Sequence, residues 1–142
     1  MGGPLIDIET RLPTLVQIFQ AHDVVLAYLY GSQARGDAGP LSDVDIAVQF
    51  APHLSAKARF ERLCRLGSRL MAALGRDDVY VADLDSASPL LRNQVRLHGR
   101  LLYCADDADR VRFEIEALRD YEDTKPLHRI QYHYTVRYFG AT

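Results

Sequence analysis

The chain has 142 residues, of which 48% are hydrophobic and 25% are charged, and its formal net charge is −2. This length and composition are typical of a single globular domain that can bury a core. Because the chain has no general excess of basic residues, we expect no direct binding to nucleic acid.

Hydrophobic periodicity predicts helices alternating with strands. The predicted elements are, in chain order, helix 7–22, strand 24–30, a short helix from Ser32 to Arg35, strand 43–50, helix 56–74, strand 78–84, helix 89–98, strand 100–104, and helices 106–120 and 127–139. Ser55 and Ser88 are N-cap signals, and Gly75 ends a helix. Pro126 is expected to break the C-terminal helix. This order predicts an α/β (α+β) domain with a small mixed sheet flanked by helices.

Two of these helices show apolar stripes that are predicted to face the core. In helix 56–74 the stripe consists of Phe60, Leu63, Leu66, Leu70, Met71 and Leu74. In helix 106–120 it consists of Val111, Ile115 and Leu118, which recur at helical spacing.

The features that bear on localisation favour the cytoplasm. No apolar run approaches the roughly 20 residues that span a bilayer. The first residues lack the basic and apolar regions of a signal peptide. Cys64 and Cys104 lack CxxC spacing, and two reduced cysteines fit a cytoplasmic protein better than a disulfide scaffold.

The most informative stretch joins strand 24–30 to the next strand. The first strand runs directly into Gly31-Ser32, and Asp43 and Asp45 follow after ten intervening residues. Side chains alternate along a strand, so both aspartates point to one face. Two like charges side by side repel each other unless a cation lies between them. Oxygen ligands of this kind suit Mg²⁺. The alternative is a pair of solvated carboxylates at the edge of a strand.

Gly31-Ser32, the spacing and Asp43-x-Asp45 resemble the GS-x10-DxD signature of the nucleotidyltransferase superfamily that includes DNA polymerase β. The RGDA after the Gly-Ser and the later VADLDSASPLLRNQV are more similar to one branch, the MNT (minimal nucleotidyltransferase) antitoxins that pair with HEPN ribonuclease toxins. The resemblance covers roughly residues 24–121. It implies one nucleotidyltransferase domain over residues 1–142, with 106–142 forming a helical C-terminal extension.

The resemblance also implies roles for the residues of the motif. Mg²⁺ would bridge Asp43, Asp45 and the phosphates of ATP while a hydroxyl attacks the α-phosphate. Gly31 and Ser32 resemble the triphosphate-binding turn of the family, and Arg35 lies within reach to neutralise phosphate charge. An ordinary strand-to-helix turn is the alternative for the Gly-Ser pair, and a structural salt bridge is the alternative for Arg35.

Members of this superfamily usually place a third acid on a following strand, and the matching position here is Tyr80. A phenol is a poor base at neutral pH and a poor ligand for Mg²⁺. Asp78 shares the strand face of Tyr80 and is the candidate substitute. Asp83 has the opposite parity unless a bulge intervenes, and it is expected to cap the end of its strand.

Two further features allow alternative interpretations. The aromatic C-terminal run is either a contact surface for a partner or the packed face of a helix, and it comprises Tyr132, His133, Tyr134, Tyr138 and Phe139. A series of basic residues runs along helix 56–74 and just past its end. They either meet an acidic partner or RNA, or form a solvated face. The residues are Lys57, Arg59, Arg62, Arg65, Arg69 and Arg76.

Three hypotheses about function follow. The first is an enzyme that transfers AMP from ATP to a tyrosine of a cognate HEPN toxin and so silences it, as the resemblance implies. The second is a catalytically impaired binding module that neutralises the toxin by direct contact, which Tyr80 and the aromatic tail favour. The third, transfer to a small molecule, would need a second substrate-binding domain for which this chain has little room.

Overall fold

The computed structural model describes residues 8–31 and 43–139, with side chains described as far as residue 125. These residues form, in order, α1 (Ile8–Ala21), β1 (Val24–Tyr30), β2 (Val44–Phe50), α2 (Ala56–Leu74), β3 (Val79–Asp83), α3 (Pro89–His98), β4 (Arg100–Cys104) and α4 (Asp107–Phe139). The predicted mixed α/β class is confirmed. The predicted short helix from Ser32 to Arg35 lies outside the described residues.

The four strands form one mixed sheet in the order β3-β2-β1-β4. β1 runs antiparallel to β2 and to β4, whereas β2 and β3 are parallel. β1 and β2 are therefore central, which agrees with their nearly continuous apolar sequences. β3 is an edge strand, so one of its sides has no neighbouring strand in the described part of the chain.

Helices cover both faces of this sheet. On one face, α1 and α2 contribute Leu15, Phe19, Leu66 and Leu70 to a core cluster that includes Ile46 of β2. On the other face, α3 and α4 pack on a smaller cluster, whose members include Leu26, Tyr28, Ala47, Val95, Phe113 and Ala117. Asp43 and Asp45, the acidic motif, lie at the start of β2. Strand alternation therefore decides which of the two sheet faces these aspartates share.

The predicted helix ends are confirmed by their capping contacts. The hydroxyl of Ser55 accepts a hydrogen bond from the backbone N–H of Ala58 at 3.1 Å, and Ser88 does the same for Leu91 at 3.1 Å. Gly75 ends α2 in the left-handed conformation, with φ of 66°. These local signals are strong because each satisfies a backbone group that the helix itself leaves without a partner.

Two predictions about the C-terminal helix were wrong. Val111, Ile115 and Leu118 are 41%, 52% and 43% exposed, whereas Phe113 and Ala117 are fully buried. The Phe113 ring, the largest apolar group available to this stretch, packs against Tyr28 at 5.7 Å between centroids. Because α4 turns the Phe113 side towards the sheet, the predicted stripe of Val111, Ile115 and Leu118 faces outward.

The second error concerns Pro126, because α4 is continuous from Asp107 to Phe139. A proline inside a helix removes one backbone hydrogen bond and crowds the preceding turn, at a cost of about 3 kcal/mol. A helix of 33 residues retains its other hydrogen bonds on both sides of that position. The aromatic run that follows Pro126 lies where side chains are not described.

Phe60 also departs from its predicted place in the core. It lies in the first half of α2 and is 66% exposed. Leu66, Leu70 and Leu74 of the same stripe are buried as predicted, because they lie over the sheet. Phe60 instead lines an apolar groove of about 300 Å³ beside the edge strand β3, together with Leu63 and Val81.

The basic residues of α2 are partly neutralised by neighbouring acids. Arg59 donates to Asp83 at 2.9 Å, and Arg62 forms an ion pair with Asp23. These contacts tie α2 to the ends of β3 and β1. They support a structural role for this part of the basic face rather than a binding surface for RNA.

The corrected face of α4 leads to a stability prediction. We expect Phe113→Ala to lower the free energy of unfolding by about 3–5 kcal/mol, because it removes a fully buried ring and leaves a cavity. Ile115→Ala on the opposite, exposed side is expected to change it by about 0.5 kcal/mol or less. Urea unfolding of both variants measures this difference, and equal losses would contradict the observed orientation of α4.

None of the described helices combines the length and apolar character that crossing a membrane requires.

Candidate active site

Gly31 ends β1 in a conformation that suits only glycine at this position. Its φ is +72°, a backbone conformation that residues with a side chain rarely adopt. A Cβ added to Gly31 would lie 2.6 Å from Oδ2 of Asp45. The turn therefore brings the backbone of Gly31 directly against one carboxylate of the acidic motif.

Asp43 and Asp45 lie at the start of β2. Asp43 is exposed and immediately precedes the strand, whereas Asp45 is half-buried within it. Val44 and Ile46 are both fully buried in the cluster beneath α1 and α2. Strand alternation therefore places the two aspartates on the other face, the one that carries α3 and α4.

The electrostatic environment of Asp45 shows that the two carboxylates interact. Burial raises the pKa of Asp45, and the negative charge of Asp43 raises it further. Both effects disfavour the ionised form of Asp45 in the protein without a cation. A cation between the two aspartates would favour their ionised forms and offset the repulsion between them, so the pair could hold a cation.

The donor set of this pair fits Mg²⁺. Within the described ranges no group of three or more His, Cys, Asp or Glu side chains is arranged to hold a metal. Two carboxylates alone are a usual protein contribution to a Mg²⁺ site, because water and substrate phosphates complete its shell. Asp43 and Asp45 would thus hold a metal together with a nucleotide.

Two tyrosines flank Asp45 across the sheet. The strand register pairs Asp45 with Tyr30 of β1 on one side and with Tyr80 of β3 on the other. Burial raises the pKa of the Tyr30 hydroxyl, and the charge of Asp45 raises it further. Tyr80 differs from Tyr30 in that it is 56% exposed. Sequence reasoning did not identify Tyr30, because its position beside Asp45 depends on the pairing of distant segments.

Asp78 lies next to Asp43 at the same edge of the site. Its backbone carbonyl accepts the N–H of Val44 at 3.0 Å, just before the parallel pairing of β2 and β3 begins. Arg76 donates to both carboxylate oxygens of Asp78, at 2.7 Å and 2.6 Å. These hydrogen bonds lower the pKa of Asp78. Asp78 is therefore ionised at neutral pH, and its carboxylate is paired with the guanidinium group of Arg76.

Arg76, which the sequence analysis grouped with the basic residues of α2, forms an ion pair with Asp78. Its pKa is raised chiefly by the hydrogen bonds to Asp78, with a smaller contribution from Asp43. Arg76 therefore belongs electrostatically to the acidic site. The sequence contains a signal for this pairing, because Arg76 follows the glycine that ends α2 and lies two residues before Asp78.

Asp83 lies away from these residues and holds the end of β3. Its carboxylate accepts hydrogen bonds from the N–H of Asp85 at 3.0 Å and from Arg59 at 2.9 Å. The parallel register is regular between Asp45–Tyr80 and Val48–Asp83. The predicted capping role of Asp83 is confirmed. The predicted nucleotide-binding residues Ser32 and Arg35 lie outside the described residues.

The burial of Asp45 predicts an effect on stability. We expect Asp45→Asn to raise the thermal midpoint of the metal-free protein at neutral pH, because the amide is uncharged beside Asp43. The folded protein binds a proton on Asp45 more readily than the unfolded chain. The contribution of Asp45 to wild-type stability therefore falls as the pH rises above the ordinary carboxyl pKa of 3.8.

Thermal unfolding of wild type and Asp45→Asn at acidic and neutral pH measures this effect. The difference between the two midpoints should shrink in acid, where Asp45 of the wild type is protonated. A variant that melts below wild type at neutral pH would contradict the inferred repulsion between Asp43 and Asp45.

Comparison with known proteins identifies relatives of this arrangement. The profile of the family described as "Polymerase beta, Nucleotidyltransferase" matches residues 14–108. The protein adenylyltransferase MntA of Shewanella oneidensis is 37% identical over 97 residues, which is 68% of this chain and 66% of MntA. The matched segment thus spans just under two thirds of that relative.

Solved structures are similar over more of the chain. A crystal structure of a toxin–antitoxin with AMP-PNP contains a chain with a TM-score of 0.69 and 29% identity, covering 86% of this chain and 95% of that one. A structure of the tri-AMPylated HEPN toxin of Shewanella oneidensis in complex with its MNT antitoxin gives a TM-score of 0.65 and 26% identity. That match covers 88% of this chain and 95% of the other.

Proposed function

The chain belongs to the polymerase beta nucleotidyltransferase family, and from this premise we propose that it is an antitoxin that transfers AMP from ATP to a tyrosine hydroxyl of a HEPN-type toxin. The observation that carries the proposal is the close approach of the Gly31 turn to Asp45, whose carboxylate also interacts with the charge of Asp43. The similarity to MntA and to an MNT antitoxin bound to an AMPylated HEPN toxin supports this acceptor.

The proposed reaction is a displacement at the α-phosphorus of ATP. The acceptor oxygen forms a bond to this phosphorus, the bond from phosphorus to the bridging oxygen breaks, and pyrophosphate leaves. Asp43 and Asp45 would hold the Mg²⁺, and the metal would supply positive charge to stabilise the phosphates. The absence of a side chain on Gly31 lets the turn lie directly against Asp45. Ser32 and Arg35, which follow it in the chain, are proposed to bind the triphosphate.

Asp78 is proposed as the third carboxylate of the site. Because Arg76 lowers its pKa, Asp78 is ionised at neutral pH and can accept a hydrogen bond from the attacking hydroxyl. The acceptor proton then passes to Asp78 or to water. Arg76 is proposed to keep Asp78 in place and to offset part of the negative charge of Asp43.

Labelled ATP tests this proposal directly. We expect the chain, co-expressed with its HEPN-type partner, to transfer label from α-labelled ATP to the partner when Mg²⁺ is present. No label should be transferred from γ-labelled ATP, because the γ-phosphate leaves with pyrophosphate. Transfer from γ-labelled ATP would indicate a kinase, and no transfer from either would contradict the proposed activity.

A second candidate function is neutralisation of the toxin by contact alone. The exposed apolar stripe on α4, formed by Val111, Ile115 and Leu118, favours it because such a surface suits a protein partner. Tyr80 in place of a third acid also favours it. Under this alternative the partner would be bound and silenced without receiving any label.

The proposal includes the organisation and the location of the protein. We propose one nucleotidyltransferase domain over residues 1–142, with 106–142 as a helical extension that meets the partner. We place the reaction in the cytoplasm, where ATP is available and where the free cysteines Cys64 and Cys104 stay reduced.

A further inference from the structure

Tyr80 is the exposed hydroxyl group that the fold places next to the acidic pair. In the parallel register of β2 and β3, Tyr80 is the partner of Asp45. Paired residues of neighbouring strands, about 5 Å apart, share a face of the sheet, so the Tyr80 ring extends from the same face as the Asp45 carboxylate. The ring is longer than the aspartate side chain. Its hydroxyl therefore reaches past the carboxylate, towards the space where a metal-bound phosphate would lie.

The surroundings of Tyr80 leave this ring free to move. β3 is the edge strand, and Tyr80 is 56% exposed. No hydrogen bond or ring contact of the Tyr80 side chain is present in the described part of the chain. An unrestrained phenol can turn towards Asp45 at little cost beyond its rotamer entropy.

Tyr30 occupies the equivalent place on the other side of Asp45 and serves as a natural comparison. It is also in register with Asp45, but on the central strand β1. Its side chain packs against the core cluster beneath α3 and α4 and is only partly accessible. The two tyrosines are thus both in register with Asp45, one on each neighbouring strand, and differ in the exposure of their side chains.

We propose that Tyr80 is a self-modification site, at which the chain transfers AMP from its own bound ATP to the Tyr80 hydroxyl when no partner is bound. This inference rests on the proposed function, since it uses the same reaction and the same class of acceptor. The phenolic oxygen of Tyr80 bonds to the α-phosphorus, and the bond to the bridging oxygen of the β-phosphate breaks. Pyrophosphate leaves, and the phenolic proton passes to the surrounding water.

Mass spectrometry of the purified full chain, incubated with ATP and Mg²⁺, tests the proposal. We expect one AMP adduct on the peptide that contains Tyr80. Tyr80→Phe should abolish this adduct, and the matched variant Tyr30→Phe should retain it. The rate per molecule should not depend on protein concentration, because donor and acceptor belong to the same chain. An adduct at another residue, or a rate that rises with concentration, would overturn the proposal.

The partner reaction separates this inference from the proposed function. If wild type labels the HEPN-type partner but never acquires an adduct on Tyr80, the self-modification is refuted and the proposed function stands. If wild type acquires no adduct and Tyr80→Phe also fails to label the partner, Tyr80 belongs to the transfer machinery rather than being an acceptor, and the self-modification is refuted.

Chemical nitration gives a second readout that does not depend on turnover. We expect tetranitromethane to nitrate the exposed Tyr80 readily in the free chain, and a non-hydrolysable ATP analogue with Mg²⁺ to protect it. Tyr30 should react slowly under both conditions, since it is packed against the core. Unchanged nitration of Tyr80 with the analogue bound would show that its ring does not lie beside the nucleotide, and would overturn the proposal.

Discussion

Replacing Asp43 and Asp45 by asparagine is expected to lower AMP transfer to the HEPN-type partner by about 10³-fold or more. An amide is a weak ligand for Mg²⁺, so the variant would lose the metal that the proposed site holds. Metal ions contribute several kcal/mol to such transition states, and each 1.36 kcal/mol corresponds to a tenfold change in rate. Initial rates with α-labelled ATP measure the effect for each single variant and for the double variant.

Asp77→Asn is the matched control for this experiment. Asp77 is exposed, precedes β3 and undergoes the same change of charge, but it takes part in none of the ion pairs of the described residues. Its transfer rate should match that of wild type. Retained transfer in both Asp43→Asn and Asp45→Asn would exclude these residues as the metal site. Lost transfer with full neutralisation of the toxin would favour the second candidate function instead.

The loss of activity can be separated from a loss of folding. Asp45→Asn is expected to be at least as stable as wild type without metal, because burial and the charge of Asp43 both disfavour the ionised Asp45. A variant that is stable but inactive identifies a carboxylate kept for function at the expense of stability. A functional site of this kind is where local stability and activity are expected to conflict.

The sequence predicted those features of the fold that depend on neighbouring residues. The bounds of α2 and α3 follow from Ser55, Ser88 and Gly75, whose capping contacts are all present. The same holds for β1, whose apolar run ends where the glycine turn begins. These signals are local, because each one satisfies or breaks backbone hydrogen bonds within one turn.

The sequence failed where the outcome depends on distant segments. The spacing in α4 is compatible with burial of either of two stripes, and the packing of Phe113 against Tyr28 selected the other one. The strand order, and hence the edge position of β3, also could not be derived from periodicity.

The candidate site shows the same division between local and distant information. The pairing of Asp43 and Asp45 on one face followed from strand alternation alone. The contact of Gly31 with Asp45 and the flanking positions of Tyr30 and Tyr80 required the register of three strands. Resemblance supplied the expectation that Gly31 belongs to the site, and the structure supplied the reason that this residue is a glycine.

That reason leads to the second prediction, that Gly31→Ala lowers AMP transfer by roughly 10²-fold. The added Cβ would lie 2.6 Å from Oδ2 of Asp45, a distance at which the carboxylate or the turn must shift. A displacement of about 1 Å at a reacting centre is enough for a loss of this size. Transfer of label from α-labelled ATP to the partner measures it, with protein folding checked by circular dichroism.

Gly75→Ala is a control that separates the backbone strain caused by Gly31→Ala from the steric clash of the new Cβ with Asp45. Gly75 has nearly the same backbone conformation, with φ of +66°. Apart from its chain neighbours, however, no atom of the described residues lies within 4 Å of the position its Cβ would occupy. Both variants therefore carry a similar backbone strain of about 1–2 kcal/mol, and both should unfold at lower temperature than wild type. Only Gly31→Ala brings a new atom against the carboxylate of Asp45, so only this variant should lose transfer activity. If the two variants lose activity equally, the effect of Gly31 arises from strain or stability, and the close approach of its backbone to Asp45 has no part in the reaction.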